Sequence, residues 1–425
     1  MKDGFIKAAA LTPGIRVADC EYNTNQICRM MDEAWEQGAK LLVFPELCVT
    51  GYTCGDLFLQ EPLLRSAEDS LERIIRHTAD REGLVFVGLP FRKGGKLYNV
   101  AAAVSSGRLL GLVPKYALPN YSEFYERRHF EPGPEKVQWI SWRGEQVPFG
   151  MKQLFVCENM ETLAVAAELC EDLWAPDPPS VAHALAGASV IVNLSASDEV
   201  TGKNLYRRSL VSSQSARLFC GYIYASAGEG ESTQDLVFSG HNLIGENGHI
   251  LAESSRFGTG ILISEIDVER INAERRRTTT FQERGAEAYV RQGFSMKLEE
   301  TVLSRSFDPA PFVPAGKEDR DARCEEILMI QAMGLKKRVE HTRSKSLVVG
   351  ISGGLDSTLA LLVMVKVCDL LGLPRTAVTA VTMPGFGTTD RTYQNACELT
   401  RSLGAELLEV DIREAVQLHF RDIGH

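Results

Sequence analysis

The sequence predicts an α/β protein in two parts, and three observations carry that reading. Over residues 1–302, short apolar β-rich runs alternate with helical patterns. Strands this apolar, interleaved with helices, belong in sheets covered by helices. Over 303–320 the text changes to LSRSFDPAPFVPAGKE and onward, where Pro309, Pro311 and Pro314 favour an extended linker. From 321 to 425 a new alternation begins, and its strand–helix–strand–helix–strand order is half of a doubly wound parallel sheet.

Taken in order, FIKAAALTP reads as the first strand and the stretch near 21–37 as a helix. AKLLVFPEL is an apolar strand ending at Glu46, followed by the strands GLVFVGLP and NVAAAVSS and the strand-like RLLGLVP. TLAVAAELC, ASVIVNLSAS and GYIYASAG are β-like and end on small or polar residues, with a helix at 203–219 between the last two. FSGHNLIGENGHILAES has the rhythm of strand, turn and strand. The second part reads as a helix at 321–340, the strand SLVVGIS, the helix STLALLVMVKVCDLLG, the strand TAVTAVTM, a helix near 390–403 and the strand AELLEVDI. The chain ends soon after this third strand. A sheet of this kind ordinarily continues, so the second domain is expected to be cut short.

The totals exclude several classes. With 44% hydrophobic and 24% charged residues, the 425-residue chain reads as an ordinary globular protein. A net charge of −10 offers no general attraction to nucleic acid or to an anionic membrane. The basic run RINAERRRT, with Arg275–Arg277, reads as a solvated face. Ten cysteines without a CxxC pair indicate reduced thiols and a cytoplasmic compartment. The N-terminus lacks the apolar core of a signal peptide, and no run reaches the ~18 apolar residues of a membrane span.

Two stretches carry chemistry. GISGGLDS, residues 350–357, lies between an apolar strand and a helix, where glycines let backbone N–H groups face an anion at a helix N-terminus. Ser352, Ser357 and Thr358 add hydroxyls, and no lysine follows Gly354, which rules out a Walker loop. Asp356 beside phosphates makes sense as a holder of Mg²⁺. The other stretch is ELCEDLW, where Cys170 sits among Glu168, Glu171 and Asp172. An unperturbed thiol is only about 3% ionised at pH 7, and neighbouring acids make the thiolate scarcer. Cys170 therefore needs a base and a cation from elsewhere. Glu46 is one candidate, a strand-end carboxyl whose partial desolvation would make it a proton acceptor. Lys115 is another, placed after RLLGLVP to stabilise an oxyanion. Cys157, Cys48 and Cys54 compete for the nucleophile's role; the last two read as packing residues.

SGGLDS resembles the phosphate loop of the ATP pyrophosphatases, which adenylate a substrate and split ATP into AMP and pyrophosphate. MPGFGTTDRTYQNA, 383–396, resembles the corresponding segment of the NAD synthetases. FPELCVTGY, PKYALPNYSEFYERRHF and ELCEDLW together resemble the nitrilase (carbon–nitrogen hydrolase) superfamily, whose members use Glu, Lys and Cys in this order. The two halves together resemble the glutamine-dependent NAD synthetases.

The resemblance implies a four-layer αββα nitrilase-like sandwich followed by part of a doubly wound, Rossmann-like sheet. It implies Glu46 as general base, Lys115 as oxyanion stabiliser and Cys170 as nucleophile. Glu126 would orient the lysine, and Glu171 would meet the α-amino group of glutamine and supply a backbone N–H to the oxyanion. Tyr121, Phe124, Ser197 and Lys203 would grip glutamine. Gly350, Ile351, Ser352, Gly353, Gly354, Leu355, Asp356 and Ser357 would bind ATP, with Asp356 on Mg²⁺. Deamido-NAD would be the third substrate, amidated through an adenylated intermediate. A homo-oligomer with an ammonia tunnel is implied as well. The chain as given is expected to hydrolyse glutamine but to make little or no NAD. A stand-alone nitrilase-type amidase and a nucleotide-binding sensor on the same scaffold are the competing readings.

Overall fold

The computed structural model describes residues 2–231, 233–386 and 389–425. The chain divides into two compact units, Met1–Ser306 and Phe307–His425.

The first unit holds two sheets. The eight-stranded sheet runs in the order Gly260–Asp267, Phe5–Thr12, Leu41–Val43, Leu84–Lys93, Lys96–Ser105, Arg108–Pro114, Glu145–Phe149, Gln138–Trp142. The seven-stranded sheet runs His249–Glu253, Leu243–Glu246, Gly221–Ser226, Val190–Ser195, Ala164–Leu169, Gln153–Cys157, Val290–Phe294. Strand Phe5–Thr12 explains the layering. Its alternate residues Ile6, Ala8 and Ala10 join a core shared with Val165, Val192 and Ile223 of the second sheet. Ala9 and Leu11 face the other way, onto Ile27 and Met31 of helix Cys20–Glu36 and Leu71 and Ile74 of helix Glu61–His77. With period 2 and apolar residues on both faces, such a strand must be covered twice. Helices Pro179–Leu185 and Lys203–Leu218 cover the outer face of the second sheet through Ala184, Val211 and Leu218. The result is the expected αββα stack.

Several expectations change in detail. The strand expected to end at Glu46 is only Leu41–Val43, paired in parallel on both sides. Glu46 lies three residues beyond it, in a turn whose next residue, Leu47, has φ 51°. The turn at Asn247–Gly248 has the double positive φ of a tight hairpin, 48° and 89°. Helix Glu61–His77, the hairpin 138–149 and strands Gln153–Cys157, Gly260–Asp267 and Val290–Phe294 were not foreseen. Ser304 and Arg305, at the start of the proline-rich stretch, bond to Glu265 and Glu246 of the first unit.

The solvated-face reading of the basic run fails at Arg275. This residue is buried, and its guanidinium donates to the carbonyls of Phe219 (2.8 Å), Ala188 (2.7 Å) and Leu218 (3.1 Å). Helix Lys203–Leu218 ends there, and its last carbonyls lack intrahelical partners. Arg276 and Arg277 are exposed as expected.

The second unit is a parallel sheet in the order Leu347–Gly350, Val378–Thr382, Glu406–Glu409. Helices Leu355–Leu371 and Asp390–Leu403 pack on it through Leu361, Val365 and Ala396, and helix Lys317–Thr342 packs on Val367 through Ala332 and Val339. Among the described residues no helix is long and apolar enough to cross a membrane.

Replacing Arg275 with Met keeps the bulk but strands three buried carbonyls. At about 1–3 kcal/mol per unpaired group, partly offset by relaxation, Arg275→Met is expected to destabilise the protein by roughly 3 kcal/mol. Urea denaturation monitored by circular dichroism reads this directly. A change below about 0.5 kcal/mol, the size of an ordinary surface substitution, would restore the solvated-face reading.

Candidate active site

Three charges are buried together at the ends of the first-unit strands. Lys115 follows strand Arg108–Pro114, and its backbone is pinned by bonds to Asn99 O (2.8 Å) and from Gly133 N (2.7 Å). Its Nζ lies 2.6 Å from Glu46 Oε1 and 2.6 Å from Glu126 Oε1. Lys115 and Glu46 are 0% exposed and Glu126 is 4% exposed. Glu46 can come so close because Gly88 lies beneath the turn, where a Cβ would sit 2.4 Å from Leu47 N. Asn99 Nδ2 also donates to Glu46 Oε1 (2.6 Å), and the Ala196 N–H donates to Oε2 (2.9 Å). Tyr52 OH donates to Glu126 Oε1 (2.8 Å), whereas Glu126 Oε2 has no partner among the described residues.

Burial opposes the Lys115 charge, but Glu126 and Glu46 outweigh it and hold the ammonium well above its ordinary range. Burial pushes the Glu126 carboxyl up to about 7, with Lys115 opposing and Glu46 adding to the rise.

Cys170 follows strand Ala164–Leu169 with φ 41° and ψ −100°, a strained conformation for a residue with a side chain. Its N–H donates to Leu194 O (3.0 Å) and Asn193 Oδ1 (3.1 Å), which holds the turn. Burial first and Glu46 second push its thiol far above the usual range, against Lys115 and a hydrogen bond from Ser195. Burial thus favours the neutral thiol over the thiolate.

The acids around Cys170 are each engaged. Glu168 accepts from Tyr222 OH and Ser180 N (2.8 Å). Asp172 accepts from Leu169 N (2.9 Å), Ala117 N (2.7 Å) and Tyr116 N (3.2 Å), tying the segment after Lys115 to the cysteine turn. Glu171 accepts from Tyr121 OH (2.6 Å). Tyr121 touches Phe124 at 6.1 Å between ring centroids, and Lys203 Nζ lies 5.7 Å from the Phe124 ring and 5.4 Å from Trp174. Tyr121, Phe124, Glu171 and Lys203 thus share one rim. Lys203 is paired with Asp198. Ser197 lies deeper, 3.5 Å from Arg207. Cys157, Cys48 and Cys54 are buried, with their sulfurs on Asn159 (3.1 Å), Gly88 O (3.7 Å) and Thr50 O (3.2 Å).

Sequence reasoning missed Asn99, Tyr52 and the Ala196 amide. Asn99 had a usable signal, because it is a polar residue inside the apolar strand Lys96–Ser105. Tyr52 and the amide had none, since they arrive from other loops.

In the second unit, residues 350–357 join strand Leu347–Gly350 to helix Leu355–Leu371. Ser352 Oγ accepts from Gly354 N (3.3 Å), the Ser352 N–H donates to Ser357 Oγ (3.3 Å), and Ser357 Oγ donates to Gly354 O (3.1 Å). Gly353 has φ 78°, and a Cβ there would lie 2.1 Å from Thr392 O, so only glycine fits. Ile351 is buried, whereas Leu355 and Asp356 are exposed in the first helical turn. Among the described residues no three His, Cys, Asp or Glu cluster as a metal site. Within 383–396, Thr389 caps helix Asp390–Leu403 by accepting from Thr392 N (3.3 Å). Gly387 and Thr388 of that segment lie outside the described residues.

Residues 7–276 match the carbon-nitrogen hydrolase family model, and residues 328–425 match the NAD synthase model. The chain is 40% identical over 99% of its length to a glutamine-dependent NAD(+) synthetase of Mycobacterium leprae, and covers 64% of that protein. It is 30% identical over 96% of its length to one from Aquifex aeolicus, covering 65% of it. The chain thus spans a little under two thirds of these relatives. A crystal structure of a glutamine-dependent NAD(+) synthetase from Cytophaga hutchinsonii superposes with a TM-score of 0.56 at 22% identity, over 99% of this chain and 67% of that one. This last likeness concerns the fold alone.

Glu231 is a further buried carboxyl next to the site. Its Oε2 accepts from Tyr52 N (2.7 Å), and burial raises it to about 8 against bonds from the Tyr52 and Thr53 amides. The folded protein keeps this proton to about pH 8, whereas an unfolded glutamate releases it near ~4.3. Stability present below the lower value is therefore lost as pH rises through the higher one, at up to ~1.4 kcal/mol per pH unit. Glu231→Gln is expected to remove that slope, so its unfolding free energy gains on the wild type between about pH 5 and about pH 8. Parallel stability–pH curves for the two proteins would show that Glu231 is ionised when folded.

Proposed function

The chain belongs to the carbon–nitrogen hydrolase family, and we propose on that premise that its first unit hydrolyses the side-chain amide of glutamine to glutamate and ammonia. The observation that carries this reading is the buried Glu46–Lys115–Glu126 group together with the strained turn at Cys170, whose thiol the charge of Glu46 reaches.

Counting lone pairs and protons assigns the roles. A carboxylate offers about four acceptor positions, and Glu46 spends three, on Lys115, Asn99 and Ala196. The remaining position receives the Cys170 proton as sulfur attacks the amide carbon. An ammonium has three donors, and Lys115 spends two, on Glu46 and Glu126. The third, with the Glu171 N–H at the start of a helical turn, holds the oxyanion. As the tetrahedral centre collapses, Glu46 returns its proton to the departing ammonia. It then takes a proton from water, whose oxygen attacks the thioester, and returns that proton to sulfur as glutamate leaves. Glu126 fixes the lysine. Tyr121, Phe124, Ser197 and Lys203 take the amino-acid end of glutamine, with Glu171 available to its α-ammonium.

The second unit, in this reading, uses ATP to adenylate deamido-NAD, which ammonia then amidates to NAD with release of AMP and pyrophosphate. Support comes from the match to NAD synthase and from the glycine loop opening a helix. Gly350–Ser357 would cradle the phosphates. Mg²⁺ commonly takes one or two carboxylates and fills its shell with phosphate oxygens and water, so the lone exposed Asp356 fits a metal carried by ATP. When bound, that ion would neutralise charge on the phosphates as pyrophosphate leaves. We place the enzyme in the cytoplasm as a homo-oligomer, the first part supported by ten free cysteines.

Two assays test this. Cys170→Ala is expected to lower ammonia release from glutamine on the order of 10³-fold or more while leaving the fold intact. Ammonia release unchanged in that variant would remove Cys170 from the site. NAD formation from deamido-NAD, ATP, Mg²⁺ and either glutamine or free ammonia tests the second unit against the expectation that this chain makes little or no NAD, and any ammonia-driven activity found is expected to be lost in Gly353→Ala, given the 2.1 Å approach of Thr392 O.

A further inference from the structure

Polar groups of three residues lie where the second sheet of the first unit is otherwise apolar. Strands Ala164–Leu169, Val190–Ser195 and Gly221–Ser226 pair in parallel. Their outer face packs under helices Pro179–Leu185 and Lys203–Leu218 through Ala166, Ile191 and the Tyr222 ring. Glu168 and Asn193, paired across the sheet, and the Tyr222 hydroxyl lie in the same layer, and all three residues are at most 1% exposed. Such groups are costly to bury unless each is bonded. They form one continuous row that starts at the backbone of the nucleophile. The Cys170 N–H donates to Asn193 Oδ1 (3.1 Å), Asn193 Nδ2 donates to the Tyr222 oxygen (3.2 Å), and the Tyr222 hydroxyl donates to Glu168 Oε1. Glu168 Oε2 accepts from the Ser180 N–H (2.8 Å), and Ser180 Oγ accepts from Gln214 Nε2 (2.8 Å).

The backbone end fixes the direction of the row. A backbone N–H can only donate, so the Asn193 amide turns its oxygen to Cys170 and its NH2 group to Tyr222. The same amide turned over would set NH2 against the Cys170 N–H, and a tyrosine proton aimed at Asn193 would favour that orientation. Glu168 takes the tyrosine proton instead. Burial first and Glu168 second hold the Tyr222 hydroxyl well above its ordinary range, so it keeps the proton it donates. Hydrogen bonds aligned this way polarise one another in a low-dielectric interior.

We propose that Glu168, Tyr222 and Asn193 are positioning residues of the first unit: the row holds the Asn193 oxygen on the Cys170 N–H and so sets the strained turn that aims the Glu171 N–H at the oxyanion. The proposal rests on the glutaminase reading. No proton or electron pair leaves any member of the row. The Cys170 N–H has two acceptors, Leu194 O (3.0 Å) and Asn193 Oδ1. The first is backbone of the neighbouring strand, so the second is the one that side chains control. Glu168, two positions before the cysteine, thus acts on it through two intermediaries and not through its charge alone.

The test compares two reactions of Cys170 in Tyr222→Phe. Hydrolysis of glutamine passes through an oxyanion, whereas alkylation by iodoacetamide displaces iodide at a methylene carbon, develops no oxyanion and reads the thiol alone. Tyr222→Phe is expected to lower kcat about tenfold, a fraction of the ~10²–10³ that loss of a whole oxyanion donor costs. KM should stay within about twofold. Alkylation of Cys170 at fixed pH, followed on its own peptide by mass spectrometry, should stay within about threefold. Glu168→Gln is expected to behave alike, because one amide oxygen cannot serve both Tyr222 and Ser180. Either variant decides by the same pair of rates where the other does not fold. Unchanged kcat, kcat and alkylation falling together, or failure of both variants to fold would reduce the row to a structural support. Alkylation needs no glutamine, so failure here is separable from failure of the glutaminase reading, whose own sign is ammonia release that survives Cys170→Ala.

Discussion

The first unit depends on one arrangement, an ammonium held 2.6 Å from each of two carboxylates with no access to water. Removing one partner from such a group leaves an uncompensated buried charge, which typically costs 3–5 kcal/mol, whereas the intact group roughly offsets its own desolvation. The cluster is therefore poor evidence for stability and good evidence for purpose. Two carboxylates share one cation, and burial with the excess negative charge lifts Glu126 to about 7. The surrounding donors, Asn99 and the Ala196 N–H on Glu46 and Tyr52 on Glu126, leave little freedom in where these side chains point. The fold supplies that precision by bringing the strand ends at 43, 114 and 195, and Asn99 from within strand Lys96–Ser105, to one place.

Much of this could be read in the sequence. Sheets covered by helices were legible in the apolar strands and interleaved helical patterns, whereas the four-layer αββα order came only with the family resemblance. The strand signal was lost at the half-exposed hairpin 138–149 and at strand Gly260–Asp267, where it is diluted by residues open to solvent. Glu46, Lys115 and Cys170 were legible because each sits in a distinctive local phrase. Their environment was less so. Glu46 looked like a carboxyl at a sheet edge, yet it is wholly buried, because Phe44, Leu47 and Val49 around it enter the core and draw the turn inward.

The acids beside Cys170 show how far local charge counting can mislead. Glu168, Glu171 and Asp172 look like a field that should suppress the thiolate. Each is instead spent on specific donors: a tyrosine and an amide, another tyrosine, and three amides. Among the acidic neighbours the charge acting most on the sulfur is Glu46, which lies 124 positions upstream and is suited to take the proton.

Backbone strain completes the argument. A non-glycine residue at φ 41° costs on the order of 1–3 kcal/mol, and the cysteine turn retains that conformation through two hydrogen bonds to its own N–H. Those bonds withdraw the Cys170 amide from any part in catalysis. The next amide, that of Glu171, is then the first free donor at the start of the following helical turn. In the proposed reaction, the same twist that strains the cysteine sets which N–H faces the substrate. A relaxed conformation at residue 170 would redirect the turn that carries the thiol and the Glu171 amide. The strain is a condition of the site's geometry, and the Leu194 and Asn193 contacts are what make it tolerable.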